Sequence, residues 1–223
     1  NQFIIVPWRP EDVLATRGSC LQFAAELTWV SDLLGMYGMV TGYHNHAAEF
    51  HPTDDTGELP WDIIAQNTPS NVILQNDIGN GMRGGGDMIH LLKKYPGRAG
   101  TIHMKPYSPR GRDVFFDDSD CTINWEEYFR IARKEAGVRW YIMEYVNPVR
   151  FPKDPIGALA ASAKWFRNRD GKEGKNGKSK NLCKPAFQCG IMGEDKRWNG
   201  DPDRNRKKFG SHLSVPAFSS VII

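Results

Sequence analysis

Four apolar stretches of this chain each run into a side chain able to hold a metal or move a proton. Gly42-Tyr43-His44-Asn45-His46 is followed by Glu49. A Val/Ile/Leu run reaches Asn76-Asp77. Thr101-Ile102-His103-Met104-Lys105 carries an imidazole and an ammonium, and Ile142-Met143 leads to Glu144. Imidazole nitrogens and carboxylate oxygens are ligands that Mn²⁺, Zn²⁺ and Mg²⁺ accept. Pointing inward from adjacent strands, His44, Asp77, His103 and Glu144 would converge, and two carboxylates gathered away from water need a cation between them. A cation there polarises a carbonyl and its neighbouring hydroxyl, and stabilises the charge left when a C–H proton departs. A lone His or Asp at a strand end is more often a loop hydrogen-bonder. His44 and His46, two apart on one strand face, can simply bond one another. Four successive strand ends of ligand type outweigh that plainer reading.

The elements that must position these groups are legible as repeated βα units over residues 1–168. Strands are expected over Phe3–Trp8, Met39–His46, Val72–Ile78, Gly100–Lys105 and Val138–Val146, most of them rich in the Val, Ile and aromatic residues of doubly buried strands. Phe23, Leu27, Val30 and Leu34 recur at helical spacing within Gln22–Gly38. Pro60 is placed to open a short helix, Asp87 to cap one ending at Pro96-Gly97, and Asn124 to open another that Gly137 stops. Asp154-Pro155 starts a last helix running to about Arg167. The class is α/β, and composition alone leaves a doubly wound sheet and part of a barrel both open. Active sites form at the carboxyl edge of either.

Net charge is +3, but residues 169–223 hold 12 Lys/Arg against 6 Asp/Glu, and the rest holds 17 against 20. An acidic body with a basic, Gly/Lys/Asn-rich and disordered tail is not a uniformly basic nucleic-acid binder, and no nucleic-acid partner is expected. Cys20, Cys121, Cys183 and Cys189 are too scattered for a disulfide framework. Cys183 and Cys189 stand wider apart than a zinc CxxC pair, with no second pair after them. No apolar run approaches the roughly 20 residues of a membrane span, and the start has no basic leader; the compartment stays unknown, with the cytoplasm favoured. The start also lacks Met, which leaves room for residues before Asn1.

The same sequence words carry a family likeness. GYHNHAAEF (Gly42–Phe50), NDIGN (Asn76–Asn80), KYPGRAGTIHMK (Lys94–Lys105) and WYIMEY (Trp140–Tyr145), after IIVPW (Ile4–Trp8), resemble the sugar phosphate isomerase/epimerase superfamily. These are the xylose isomerase-like TIM barrels that include tagatose epimerases, inosose dehydratases and keto-glycoside-processing enzymes. The likeness implies a partial (β/α)8 barrel of about five βα units, strands four to eight, over residues 1–168, with an irregular C-terminal extension over 169–223. Strands one to three would then lie outside this chain, as in a gene fragment, a misassembled gene model or a frame change near Asn168.

Carried over, Asp77, His103 and Glu144 match the family's metal ligands on strands six, seven and eight. Where epimerases supply a Glu from strand five, this chain offers His44, with Glu49 in the following loop as the alternative ligand or a substrate contact. His46, Glu49, Glu144 and Lys105 become the candidate catalytic groups. Pro106 stands where relatives often place an Asp after that lysine. The implied activity is divalent-metal-dependent (Mn, Zn or Mg) isomerisation or epimerisation of a small sugar or keto-sugar, or a related lyase or dehydratase reaction. A non-catalytic truncated fragment is the competing expectation, and an endonuclease IV-like phosphodiester hydrolase a weaker one. Open sheet edges make a homo-oligomer plausible.

Overall fold

The computed structural model describes residues 2–111, 113–144 and 154–173. Five strands, β1 (Phe3–Val6), β2 (Val40–His44), β3 (Ile73–Asp77), β4 (Thr101–Met104) and β5 (Trp140–Met143), form one sheet in the order β1-β2-β3-β4-β5. Every neighbouring pair is parallel. A doubly wound sheet reverses its order at a switch point, whereas a barrel adds strands in sequence. The order is that of a barrel segment, a five-stranded part of a (β/α)8 fold. The sheet curls as such a segment must. Arg139, just before β5, holds its guanidinium 5.3 Å from the ring of Phe3 on β1, although the two strands lie at opposite ends of the order.

Helices α1 (Glu11–Leu14) and α2 (Arg17–Gly35) join β1 to β2, and α3 (Pro60–Gln66) leads to β3. Then α4 (Ile78–Arg83) and α5 (Met88–Lys94) precede β4, α6 (Trp125–Lys134) precedes β5, and α7 (Pro155–Glu173) follows it. Local chemistry sets most of the starts. The Thr16 hydroxyl accepts from the Ser19 backbone N–H and the Ser19 hydroxyl accepts from the Thr16 backbone N–H, a reciprocal cap on α2. Asp87 caps α5 and Asn124 caps α6, and Pro60 opens α3 where its missing N–H costs nothing. On α6, Glu126 and Glu127 lie at the positive end of the dipole and Arg133 and Lys134 at the negative end.

Three expectations change on the structure. The buried face of α2 runs through Cys20, Phe23, Ala24, Leu27 and Ser31, so Val30 and Leu34 sit on its flank, and Trp29, Leu33, Met36 and Tyr37 are exposed. The last helix continues past Arg167 to Glu173, five residues into the expected tail. Only β3 is buried throughout, because it is central; β1 is half-buried, and β5 alternates between half-buried and exposed residues, as strands at the ends of the sheet do. Val146, the outer end of the fifth expected strand, and residues 174–223, with Cys183 and Cys189, lie outside the described residues.

The core between sheet and helices mixes aliphatic side chains with a linked set of aromatic rings. Tyr43 meets Phe23 edge-on at 4.9 Å, and Trp165 of α7 stacks on Phe116 at 4.7 Å. Phe166 packs against Tyr141 of β5 at 5.2 Å, which holds α7 against the last strand. Each such side chain taken out of water contributes about 1.5–3 kcal/mol.

Candidate metal centre

His44, Asp77, His103 and Glu144 leave the carboxyl ends of β2, β3, β4 and β5, and each offers one ligand atom within 4.8 Å of the other three. His44 and Asp77 are buried, and His103 and Glu144 are part-exposed, so the group is walled on one side and reachable on the other. Strand register explains the convergence. His44 pairs with Gln75 and Asp77 with His103, so alternate residues on neighbouring strands face the same interior.

Asp77 is fixed from three directions. Its main chain is clamped by Asn45, whose Oδ1 accepts from the Asp77 N–H at 2.8 Å and whose Nδ2 donates to the Asp77 carbonyl at 3.0 Å. Its carboxylate caps α4, accepting from the Asn80 N–H at 2.8 Å and the Asn80 side-chain amide at 2.9 Å. Glu144 accepts from Lys105 Nζ at 2.8 Å and lies 2.8 Å from His103 Nδ1. Lys105 is held in turn by a close crossing of α4, since a Cβ added at Gly79 would stand 2.5 Å from the Lys105 carbonyl oxygen.

Electrostatics separate the two carboxylates. Burial pushes Asp77 well above the usual carboxylate range, and the Glu144 charge adds to that, against the Asn80 hydrogen bond. Burial would raise Glu144 too, but hydrogen bonds from His103 and Lys105 overcome it and hold Glu144 well below that range. His44 is lowered to about 3, first by burial and then by repulsion from His103 and His46, despite its bond to Gln75. It is therefore neutral, its 3.7 Å approach to Asp77 is not an ion pair, and its nitrogen is free to act as a ligand.

The donor set fits a divalent cation. Two imidazole nitrogens and two carboxylates, the latter ionised on a cation, would balance a charge of +2, and the set is the N/O mixture that Zn²⁺ or Mn²⁺ takes. Asp77, buried and pushed toward its protonated form, is the group that a cation would relieve most.

The other expected site residues fall into place around this group. His46 is half-buried beside it, its ring centroid 4.9 Å from that of His44. The His46 Nδ1 atom is buried with no hydrogen-bond partner among the described residues, and burial lowers its pKa. Glu49 is not brought into the group of four. Its buried carboxylate accepts from the Tyr43 hydroxyl and, at 2.8 Å, from the His46 backbone N–H. Sequence reasoning missed Gln75, Thr101, Asn45 and Asn80. Gln75 had a signal: it stands two residues before Asp77, hence on the same strand face, directly after the apolar run Val72-Ile73-Leu74.

A sequentially ordered parallel sheet with a metal-type donor set at its carboxyl edge defines a β/α-barrel protein with its candidate site where such barrels place their chemistry. The chain belongs to the xylose isomerase-like TIM barrel family, whose model matches residues 6–169. Among solved structures it is similar to two sugar phosphate isomerase/epimerases from Parabacteroides distasonis. One has a TM-score of 0.65 at 17% identity over 74% of this chain and 59% of that one. The other has 0.60 at 21% identity over 73% and 57%. The IolI protein with a bound zinc atom aligns with TM-score 0.57 at 17% identity over 77% and 63%. These likenesses establish the fold, and the chain spans 57–63% of the neighbours' lengths. No curated protein matches it. Among the described residues no helix is long and apolar enough to cross a membrane.

Proposed function

We propose that this chain carries the metal centre of a divalent-metal-dependent sugar isomerase or epimerase, or of a related keto-sugar lyase, that moves a proton next to a carbonyl. One observation carries the reading: four ligand atoms from four successive strands lie within 4.8 Å of one another. His44, Asp77, His103 and Glu144 are the ligands, and zinc or manganese suits this donor set better than magnesium. A bound cation supplies Lewis acidity to a carbonyl and an adjacent hydroxyl. The remaining steps belong to the chain's own side chains. His46, a half-buried imidazole beside the four ligands whose pKa burial lowers, takes the C–H proton and returns it. Glu49 holds the His46 backbone in place, and Tyr43 holds Glu49. Lys105 keeps Glu144 ionised and offers an ammonium to a developing oxyanion.

The test is metal content together with proton exchange. The full chain, loaded with Zn²⁺ or Mn²⁺ and dialysed, should retain one ion. It should also exchange the C–H beside the carbonyl of a ketohexose or inosose probe with solvent deuterium. Full exchange by chelator-stripped protein would refute metal dependence. A second reading, an inert fragment, is favoured by the partial span of the neighbours and by the outer strands β1 and β5, each with one sheet partner among the described residues. It expects metal retention without exchange. Association of copies along those edges belongs to the same proposal and is read by light scattering on the purified chain.

A further inference from the structure

We propose that Gln75 is a positioning residue that sets the tautomer of His44, placing the proton on Nδ1 and turning the Nε2 lone pair toward the cation. This rests on the reading of the four-residue group as a metal site. His44 and Gln75 are cross-strand partners on β2 and β3, and both are buried. Gln75 Oε1 lies 2.9 Å from His44 Nδ1, and Gln75 Nε2 donates to the Thr101 hydroxyl at 2.6 Å. Thr101 is itself buried on β4, so the amide is gripped from both sides in one row across three strands. With its NH₂ committed to Thr101, the amide presents a carbonyl oxygen to His44. A neutral imidazole facing an acceptor at Nδ1 carries its proton there, leaving Nε2 bare.

The other side of the ring agrees. His44 Nε2 stands 3.7 Å from Asp77 Oδ2, beyond hydrogen-bond distance, so a proton on Nε2 would find no partner there. The ring also has little room to turn over, with its centroid 4.4 Å from that of His103 and 4.9 Å from that of His46. A flipped glutamine would donate to Nδ1, force the proton onto Nε2 and aim an N–H at the ligand site. The orientation of one buried amide thus decides whether His44 is a ligand at all.

The experiment is long-range proton–nitrogen NMR on the metal-free, histidine-labelled full chain, with Zn²⁺ affinity measured separately by chelator competition. Wild type should show His44 protonated on Nδ1. Gln75→Leu should lose that preference and weaken Zn²⁺ binding by about 10- to 100-fold. Gln75→Glu, which keeps an acceptor at the same reach, should retain the Nδ1–H form, a rescue that loss of packing alone would not produce. It also serves if the leucine variant does not fold. Wild-type His44 protonated on Nε2, or a tautomer indifferent to both substitutions, would overturn the proposal. Zinc failing to bind while the tautomer still follows Gln75 would sink the metal reading and leave the hold of Gln75 on His44 intact.

Discussion

Replacing Asp77 with Asn separates what the fold needs from what the metal needs. In the metal-free protein the Asp77 carboxylate is buried, pushed toward its protonated form and repelled by Glu144. Asn removes the charge and keeps the helix cap on α4, because Asn and Asp cap about equally well. The Asn80 amide must turn over to meet the new NH₂, at a cost of about 1 kcal/mol or less. The net expectation is a metal-free melting temperature that is unchanged or slightly higher at pH 7.5. Saturating wild type with Zn²⁺ at about 100 times its Kd adds about 2.7 kcal/mol. For a domain of this size, at about 2–4 °C per kcal/mol, that is a rise of about 5–11 °C. Asp77→Asn should lose most of that rise. The assay is differential scanning fluorimetry of both proteins with EDTA or with Zn²⁺. A large drop in the metal-free variant would refute the claim that the uncompensated charge dominates. A full zinc-induced rise in the variant would remove Asp77 from the ligand set.

The pH dependence of the metal-free protein should carry two opposed contributions. A raised Asp77 means the folded state holds the extra proton, so its contribution falls as pH rises from about 4 through its elevated folded value; the lowered Glu144 contributes above about 4.5 and is lost on acidification, and urea titrations of D77N and E144Q separate the two. Gly79→Ala should destabilise by about 1–3 kcal/mol in urea titration, because its Cβ would stand 2.5 Å from the Lys105 carbonyl oxygen; an unchanged midpoint would show that the crossing yields freely. Tyr43→Phe strips a hydroxyl donor from the buried Glu49 carboxylate and should cost about 1–3 kcal/mol, and a neutral result would mean that water replaces the hydroxyl. Cys20, buried and raised to about 11 chiefly by that burial, should resist iodoacetamide at pH 8 in the folded chain while the part-exposed Cys121 is alkylated, as peptide mass spectrometry would report; rapid labelling of Cys20 would contradict the packing of α2.

Strand positions were readable because each βα unit opens on a short apolar run, and four of the five runs, all but β1, lead to a ligand-type residue. The helix starts at Pro60, Asp87 and Asn124 follow from side-chain chemistry within one turn, and so they could be read locally. The choice between a wound sheet and a barrel could not, since it depends on strand order, which no local signal encodes. Helix α4 escaped because β3 passes into it with no intervening loop, and Ile78-Gly79-Asn80-Gly81 carries two glycines, poor helix formers. The buried face of α2 was displaced because Cys20, Ala24 and Ser31 form part of the contact and none of them stands out in a hydrophobic pattern. At the site, His44, Asp77, His103 and Glu144 could be grouped from strand ends alone. The position of Glu49 could not: its partner is a tyrosine hydroxyl six residues back, brought over it by the short turn Ala48–Phe50.

Asp77 closes a strand, opens a helix and faces the other three ligand candidates, all with one carboxylate. Two selective pressures therefore fall on a single codon, and they tolerate different replacements. A library screened only for soluble expression would keep Asn there, whereas one screened for metal retention would discard it. Comparing the survivors of the two screens would reveal the site without any knowledge of the substrate.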